Sequence, residues 1–181
     1  PDGSDSGYEW VEIINVGSES VRLDDWELQT GASSWNSKLF FPPESEIEPG
    51  EIWLIGEDEV PAEFRDVTVD GTLSLGNASS GFDGVRLIDC PGQIQDSLLY
   101  AKDGAGVASD EEITEGDSGD TSAASLPESG LSLGRLPDGS DSDVNSVDFA
   151  TNLEPTPGER NGGDSSGCLL YTSDAADECL C

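Results

Sequence analysis

The side chains that most often carry out chemistry are scarce in this chain. It contains no histidine and no methionine, and losing histidine removes both the usual neutral-pH general base and the commonest metal ligand. No Cys–His pair, His-bearing metal motif or phosphate-cradling glycine loop with lysine can be assembled from it. Cys90 stands beside the Pro91-Gly92 turn, and with no histidine to generate its thiolate it reads as a small packing residue and not a nucleophile. Carboxylates number 39, so a close acidic pair is expected from abundance alone and carries little information about acid–base catalysis. No catalytic constellation is expected.

One run of oxygen ligands remains. Asp141-Ser142-Asp143-Val144-Asn145 puts ligand-type side chains at alternating positions, as the first half of a calcium-binding loop does, because a hard cation takes several oxygens from a turning backbone. Asp138, Asp141, Asp143 and Asn145 are the calcium candidates. The second half departs from the pattern: Ser146 replaces the glycine of the sharp turn, and Asn152 stands where a bidentate glutamate belongs. Calcium is thus the one cofactor to weigh, and the default expectation is none. Trp35 lies in the polar run Gly31-Ala32-Ser33-Ser34-Trp35-Asn36-Ser37, which makes it the candidate for an exposed contact residue. Asn77-Ala78-Ser79 is a glycosylation sequon, a weak three-residue match.

The elements that must position these residues read as strands. Short apolar runs punctuated by Pro49-Gly50, Asp70-Gly71, Asp83-Gly84 and Pro91-Gly92, pairs that supply fixed or positive φ angles, predict an all-β domain. Strands are expected over 9–15, 20–23, 26–30, 38–41, 51–55, 66–69, 84–88, 94–100 and 131–136, with 84–88 and 94–100 forming a hairpin and no helix of useful length. Candidate core residues are Trp10 or Trp26, Ile13, Leu28, Trp53, Leu54, Leu87 and Leu133. From Asp103 to Glu128 the composition shifts to Gly, Ser, Ala, Thr and eight carboxylates, too little apolar surface to offset the entropy of ordering, so this stretch is expected to be a flexible acidic insertion.

With 181 residues, 39 acidic and 7 basic, the chain carries a formal charge of −32. Such a surface repels phosphates, so nucleic acid is an unexpected partner. No apolar run reaches the length of a membrane-spanning helix, so no membrane insertion is expected.

Two blocks carry a resemblance. Glu9-Trp10-Val11-Glu12-Ile13 followed by a Gly turn, Leu23-Asp24-Asp25-Trp26-Glu27-Leu28, and Pro49-Gly50 before Ile52-Trp53-Leu54-Ile55 resemble the opening of the lamin-tail domain. Ser132-Leu133-Gly134-Arg135-Leu136-Pro137-Asp138-Gly139-Ser140-Asp141, Asp148-Phe149 and Thr156-Pro157-Gly158-Glu159-Arg160-Asn161 are similar to its bacterial closing signature. The resemblance implies an immunoglobulin-like antiparallel β-sandwich over residues 1–161. In that family an apolar strand precedes a loop like Pro1 to Gly7, so the resemblance further implies a sandwich lacking its first strand.

The remainder, 162–181, is expected to be a disordered tail. Cys168 to Glu178 resembles the translation of a transposase-end sequencing adapter, which places three of the four cysteines, Cys168, Cys179 and Cys181, in non-native sequence. What the family resemblance implies for function is a non-catalytic, extracellular or cell-surface binding or tethering module of a larger bacterial protein, with an unidentified protein or surface ligand as partner. The alternatives are an accessory fragment of a secreted hydrolase or nuclease, or a calcium-stabilised spacer.

Overall fold

The computed structural model describes residues 6–77, 81–104 and 122–161. In chain order the strands are β1 (Trp10–Ile14), β2 (Val21–Arg22), β3 (Glu27–Gly31), β4 (Trp35–Phe40), β5 (Glu46–Ile47), β6 (Ile52–Gly56), β7 (Val67–Thr68), β8 (Asp83–Ile88), β9 (Ile94–Ala101), β10 (Ala124–Ser125), β11 (Ser132–Arg135) and β12 (Phe149–Leu153). A 3-10 turn, Lys102–Gly104, follows β9, and a single helical turn, α1 (Asn145–Asp148), precedes β12.

A five-stranded sheet of order β10-β9-β8-β3-β4 faces a three-stranded sheet β1-β6-β7, with β2-β5 and β11-β12 as separate pairs. β1 lies at an edge of its sheet. The fold is the expected immunoglobulin-like β-sandwich. Its pairings are antiparallel apart from two short parallel ladders, β6 with β7 and β10 with β9. The expected hairpin forms, with Val85 opposite Leu98 and Leu87 opposite Asp96.

The period-2 pattern explains the core. On β3, Leu28 and Thr30 are buried while Glu27 and Gln29 are only half-buried, because alternate side chains point to opposite faces. Leu28, Phe41, Ile55, Leu73 and Val85 form the centre of the main cluster, and Ile13, Trp26, Trp53 and Leu87 pack against it half-buried. Leu54 is fully buried, Leu133 joins a second cluster around Tyr100 and Ala124, and Trp10 is half-buried.

Three sequence expectations are corrected. The end of the acidic stretch 103–128 is built into the fold, with Ala123 and Ala124 buried and β10 paired with β9, while 105–121 lie outside the described residues. α1 and β12 were not anticipated, because a four-residue helix and the sequence Phe-Ala-Thr-Asn-Leu show no usable periodicity. Trp35 begins β4 and does not sit in a loop. The tail 162–181 and the sequon residues Ala78 and Ser79 lie outside the described residues.

Trp35 is packed across the outer face of the five-stranded sheet. Gly31 of β3 is opposite both Trp35 and Gly84 of β8, and the indole reaches over the space that Gly84 leaves. A Cβ at Gly84 would fall 2.9 Å from Trp35 Cη2 and 2.8 Å from the Leu98 carbonyl oxygen. The Leu98 contact is backbone and cannot swing aside, so Gly84→Ala should lower stability by about 1–3 kcal/mol, the cost of overpacking. A urea midpoint unchanged by this substitution would show that this space is not closed.

Candidate functional site

The calcium candidates are drawn close in the fold but engaged separately. Arg135, at the end of β11, is the reason. Its guanidinium donates to Asp96 at 2.6 Å, Asp141 at 3.0 Å and the Ser140 carbonyl at 2.7 Å, and lies 3.4 Å from Asp148. Its remaining face stacks 4.5 Å from the Phe149 ring centre, a cation–π contact. Asp141 is therefore an ion-pair partner. Asn145 is buried and its Oδ1 accepts the Leu99 N–H at 2.9 Å, pinning α1 to β9. Asp138 accepts the Asn161 N–H at 3.2 Å. The Asp143 N–H donates to Asp141 at 3.3 Å, with Asp143 itself in the left-handed region at φ 57°. Among the described residues no group of three or more His, Cys, Asp or Glu side chains is arranged to hold a metal ion, and the bonds shown for Asp138, Asp141 and Asn145 are with the protein's own donors.

Asp148 is the centre of that arrangement and was quoted in the sequence only as part of a signature. Its carboxylate, 3% exposed, accepts the Ser142 N–H at 2.9 Å, the Ser142 hydroxyl at 2.8 Å and the Val144 N–H at 3.1 Å. Burial pushes its pKa up, but the two N–H groups, the hydroxyl and the Arg135 charge together hold it below the ordinary 3.8. The signal was available in the spacing of Arg135 and Asp148-Phe149; what the sequence could not show is that the two motifs meet.

Other carboxylates do the same work. Glu57, fully buried, accepts the Leu73 N–H at 2.7 Å and the Glu9 N–H at 3.3 Å, and Glu9 accepts the Leu75 N–H at 3.0 Å. Leu73 to Leu75 is outside any strand, and acidic side chains supply the acceptors that a neighbouring strand would otherwise provide. Asp66 likewise accepts the Leu54 N–H at 2.8 Å.

Glu12 differs from these in its ionisation. It sits at the middle of β1 and accepts the Gly158 N–H at 2.5 Å. Burial pushes its carboxyl up to about 7, the Gly158 N–H opposing and the charges of Asp138 and Asp66 adding to the rise. Beside it opens a cleft of about 430 Å³ lined by Ile14 to Gly17, Pro49-Gly50, Asp138-Gly139 and Arg160.

Two further sequence features are placed by the fold. Trp35, the expected exposed contact, is half-buried against Leu99, Ala101 and Ala123, with the Arg86 guanidinium 4.4 Å from its ring centre and Arg86 Nε bonded to Gln29 at 2.8 Å. Its polar sequence neighbours concealed a packing role. Gly130-Leu131-Ser132-Leu133-Gly134 has the spacing of a nucleophile elbow, a match that reading the chain for catalytic templates had missed. Ser132 lies within β11 and its hydroxyl donates to the Leu153 carbonyl at 3.1 Å, so it occupies a strand and not the strand-to-helix turn that the motif requires. Cys90 is exposed.

Compared with known proteins, the chain finds no match among curated sequences. A family model described as Lamin Tail Domain matches residues 1–102, which takes in every strand from β1 to β9. The closing blocks lie beyond the matched region and are joined to it by Asn145 on β9 and by Leu133 and Phe149 packed against Tyr100. With more than half its length matched and a sandwich built from the strands it predicts, the chain belongs to the lamin tail domain family.

Proposed function

We propose that this domain is a non-catalytic binding or tethering module of a larger bacterial protein that acts outside the cell or at its surface, taking a protein or surface ligand as partner. The lamin tail family is one of β-sandwich modules with binding or structural roles. The observation that carries the proposal is the engagement of the buried acids: Glu57 and Asp148 both receive backbone N–H groups of their own chain. Acceptor bonds of this kind commit these carboxylates to holding their own backbone in place. The charge of −32 keeps the module soluble and turns away polyanions. Phe40, 62% exposed at the end of the edge strand β4, is an apolar side chain offered to a partner.

The test uses the immobilised chain presented with bacterial envelopes and, separately, with duplex DNA at physiological salt, together with turnover assays on ester, phosphoester and peptide substrates. Retention of envelope material, no retention of DNA and no turnover are expected. Turnover, or DNA binding in preference to envelopes, would overturn the proposal.

A further inference from the structure

We propose that the open flank of β1 is a docking edge, at which an extended segment of a partner protein, alternating apolar and basic residues, adds to the β1-β6-β7 sheet as a further strand. The inference rests on the binding reading above and gives its partner a chemistry and a place. The register fixes which backbone groups face outwards. The Glu57 N–H donates to the Glu9 carbonyl at 3.0 Å and the Asn15 N–H to the Glu51 carbonyl at 3.1 Å, so the hydrogen-bonded positions of the β1–β6 ladder are 9, 11, 13 and 15. Trp10, Glu12 and Ile14 therefore turn their N–H and C=O groups to the side on which β1 has no neighbouring strand. Nothing among the described residues bonds those groups. All five residues of β1 are only half-buried, although Val11 and Ile13 pack against the main cluster; a strand alongside would cover the flank they expose.

The other edges of the two main sheets are short or guarded. β7 and β10 are two residues each. In β4 the register skips Lys38, whose ammonium is tied to the Thr72 carbonyl and the Ser74 hydroxyl, both at 3.0 Å, and a bulge with an edge lysine is how sheets refuse further pairing. β1 has an unbroken register of five pairs and neither lysine nor proline. The occupant follows from alternation and charge. Successive side chains of an added strand fall on opposite faces: those beside Val11 and Ile13 must be apolar, and those beside Glu12, which has Asp138 close by, make favourable cross-strand pairs when cationic. A second copy of this chain would bring its own −32 charge to the edge, whereas a basic segment is drawn in by the same field. Strand addition takes its affinity from main-chain bonds and its specificity from alternate side chains.

The experiment adds a short synthetic peptide of alternating valine and lysine to the isotope-labelled full chain and follows amide exchange by NMR. In the free chain the amides of Trp10, Glu12 and Ile14 should exchange almost unprotected, and the peptide should raise their protection about tenfold or more while leaving the β4 amides unchanged. The same peptide with every amide nitrogen methylated, and a peptide of alternating valine and glutamate, should leave all of them unchanged. Ile14→Pro, which removes an outward N–H and no ladder bond, should weaken binding of the valine–lysine peptide about tenfold. Protection of the three amides in the free chain would mean that the chain itself covers this edge, and would overturn the proposal. So would a valine–lysine peptide that protects none of them, or equal protection by the methylated or the glutamate peptide. Were Ile14→Pro to misfold, the methylated peptide decides. Envelope material retained by a chain whose β1 amides ignore the valine–lysine peptide would leave the binding module standing and refute this edge as its site.

Discussion

Asp148→Ala should destabilise the domain by about 2–3 kcal/mol, the upper part of the range for removing a charged acceptor from its hydrogen-bonded donors. The substitution leaves the N–H groups of Ser142 and Val144 and the Ser142 hydroxyl without their acceptor, and because Ser142 is exposed and Val144 half-buried, water recovers part of the loss. Arg135 keeps Asp96 and Asp141, so the loss falls on the turn from Ser142 to Val144 and hence on α1, whose Asn145 anchors β9. Urea denaturation at constant slope is the measurement, and a loss below about 1 kcal/mol, the scale of ordinary surface changes, would mean that this turn is held elsewhere. The same residue sets an acid limit. Its pKa lies below 3.8 in the folded state, so its stabilising contribution is present above about 3.8 and disappears as pH falls through the lower folded value.

Leu28→Ala should cost about 2–5 kcal/mol, the transfer loss of a buried leucine plus the cavity it leaves. Leu28 is 1% exposed, and its strand is the fourth of five, flanked by β8 on one side and β4 on the other. The surroundings are poorly able to collapse into the space, because Leu87 and Leu39 stand opposite it in the two ladders. An upper-range value is therefore expected from thermal or urea unfolding. Gln29→Ala on the same strand supplies the contrast, since it opens no cavity in the main cluster. Equal losses at the two positions would contradict the assignment of the core face.

How much of this was legible in the chain can be judged from particular residues. Leu28 could be placed because β3 alternates cleanly, and Leu54 and Leu87 because each lies in a short apolar run bounded by turn residues. Trp35 was misplaced because its neighbours are serine, asparagine and glycine: local polarity argues for a loop, whereas the glycine that receives its indole, Gly84, is on β8, far away in sequence. Asp138, Asp141 and Asn145 were recognised as oxygen donors, and that was right about their chemistry. Their acceptors went to Asn161, Arg135 and Leu99, partners between six and 46 positions away, which spacing alone does not reveal. Glu12 gave no signal at all, because its ionisation depends on the burial and the carboxylates that the fold assembles around it.

The acids of this domain serve two ends that ionic strength separates. Bonds such as Glu57 to Leu73, Asp66 to Leu54 and Asp138 to Asn161 act over 2.7–3.2 Å, well inside the Debye length of about 8–10 Å in physiological salt. The mutual repulsion within a charge of −32 is spread over the whole surface, where intervening ions weaken it. Added salt thus relieves the repulsion that opposes compactness and leaves the carboxylate–amide fastenings in place. A brine that strips surface ion pairs from an ordinary protein would find few here to remove.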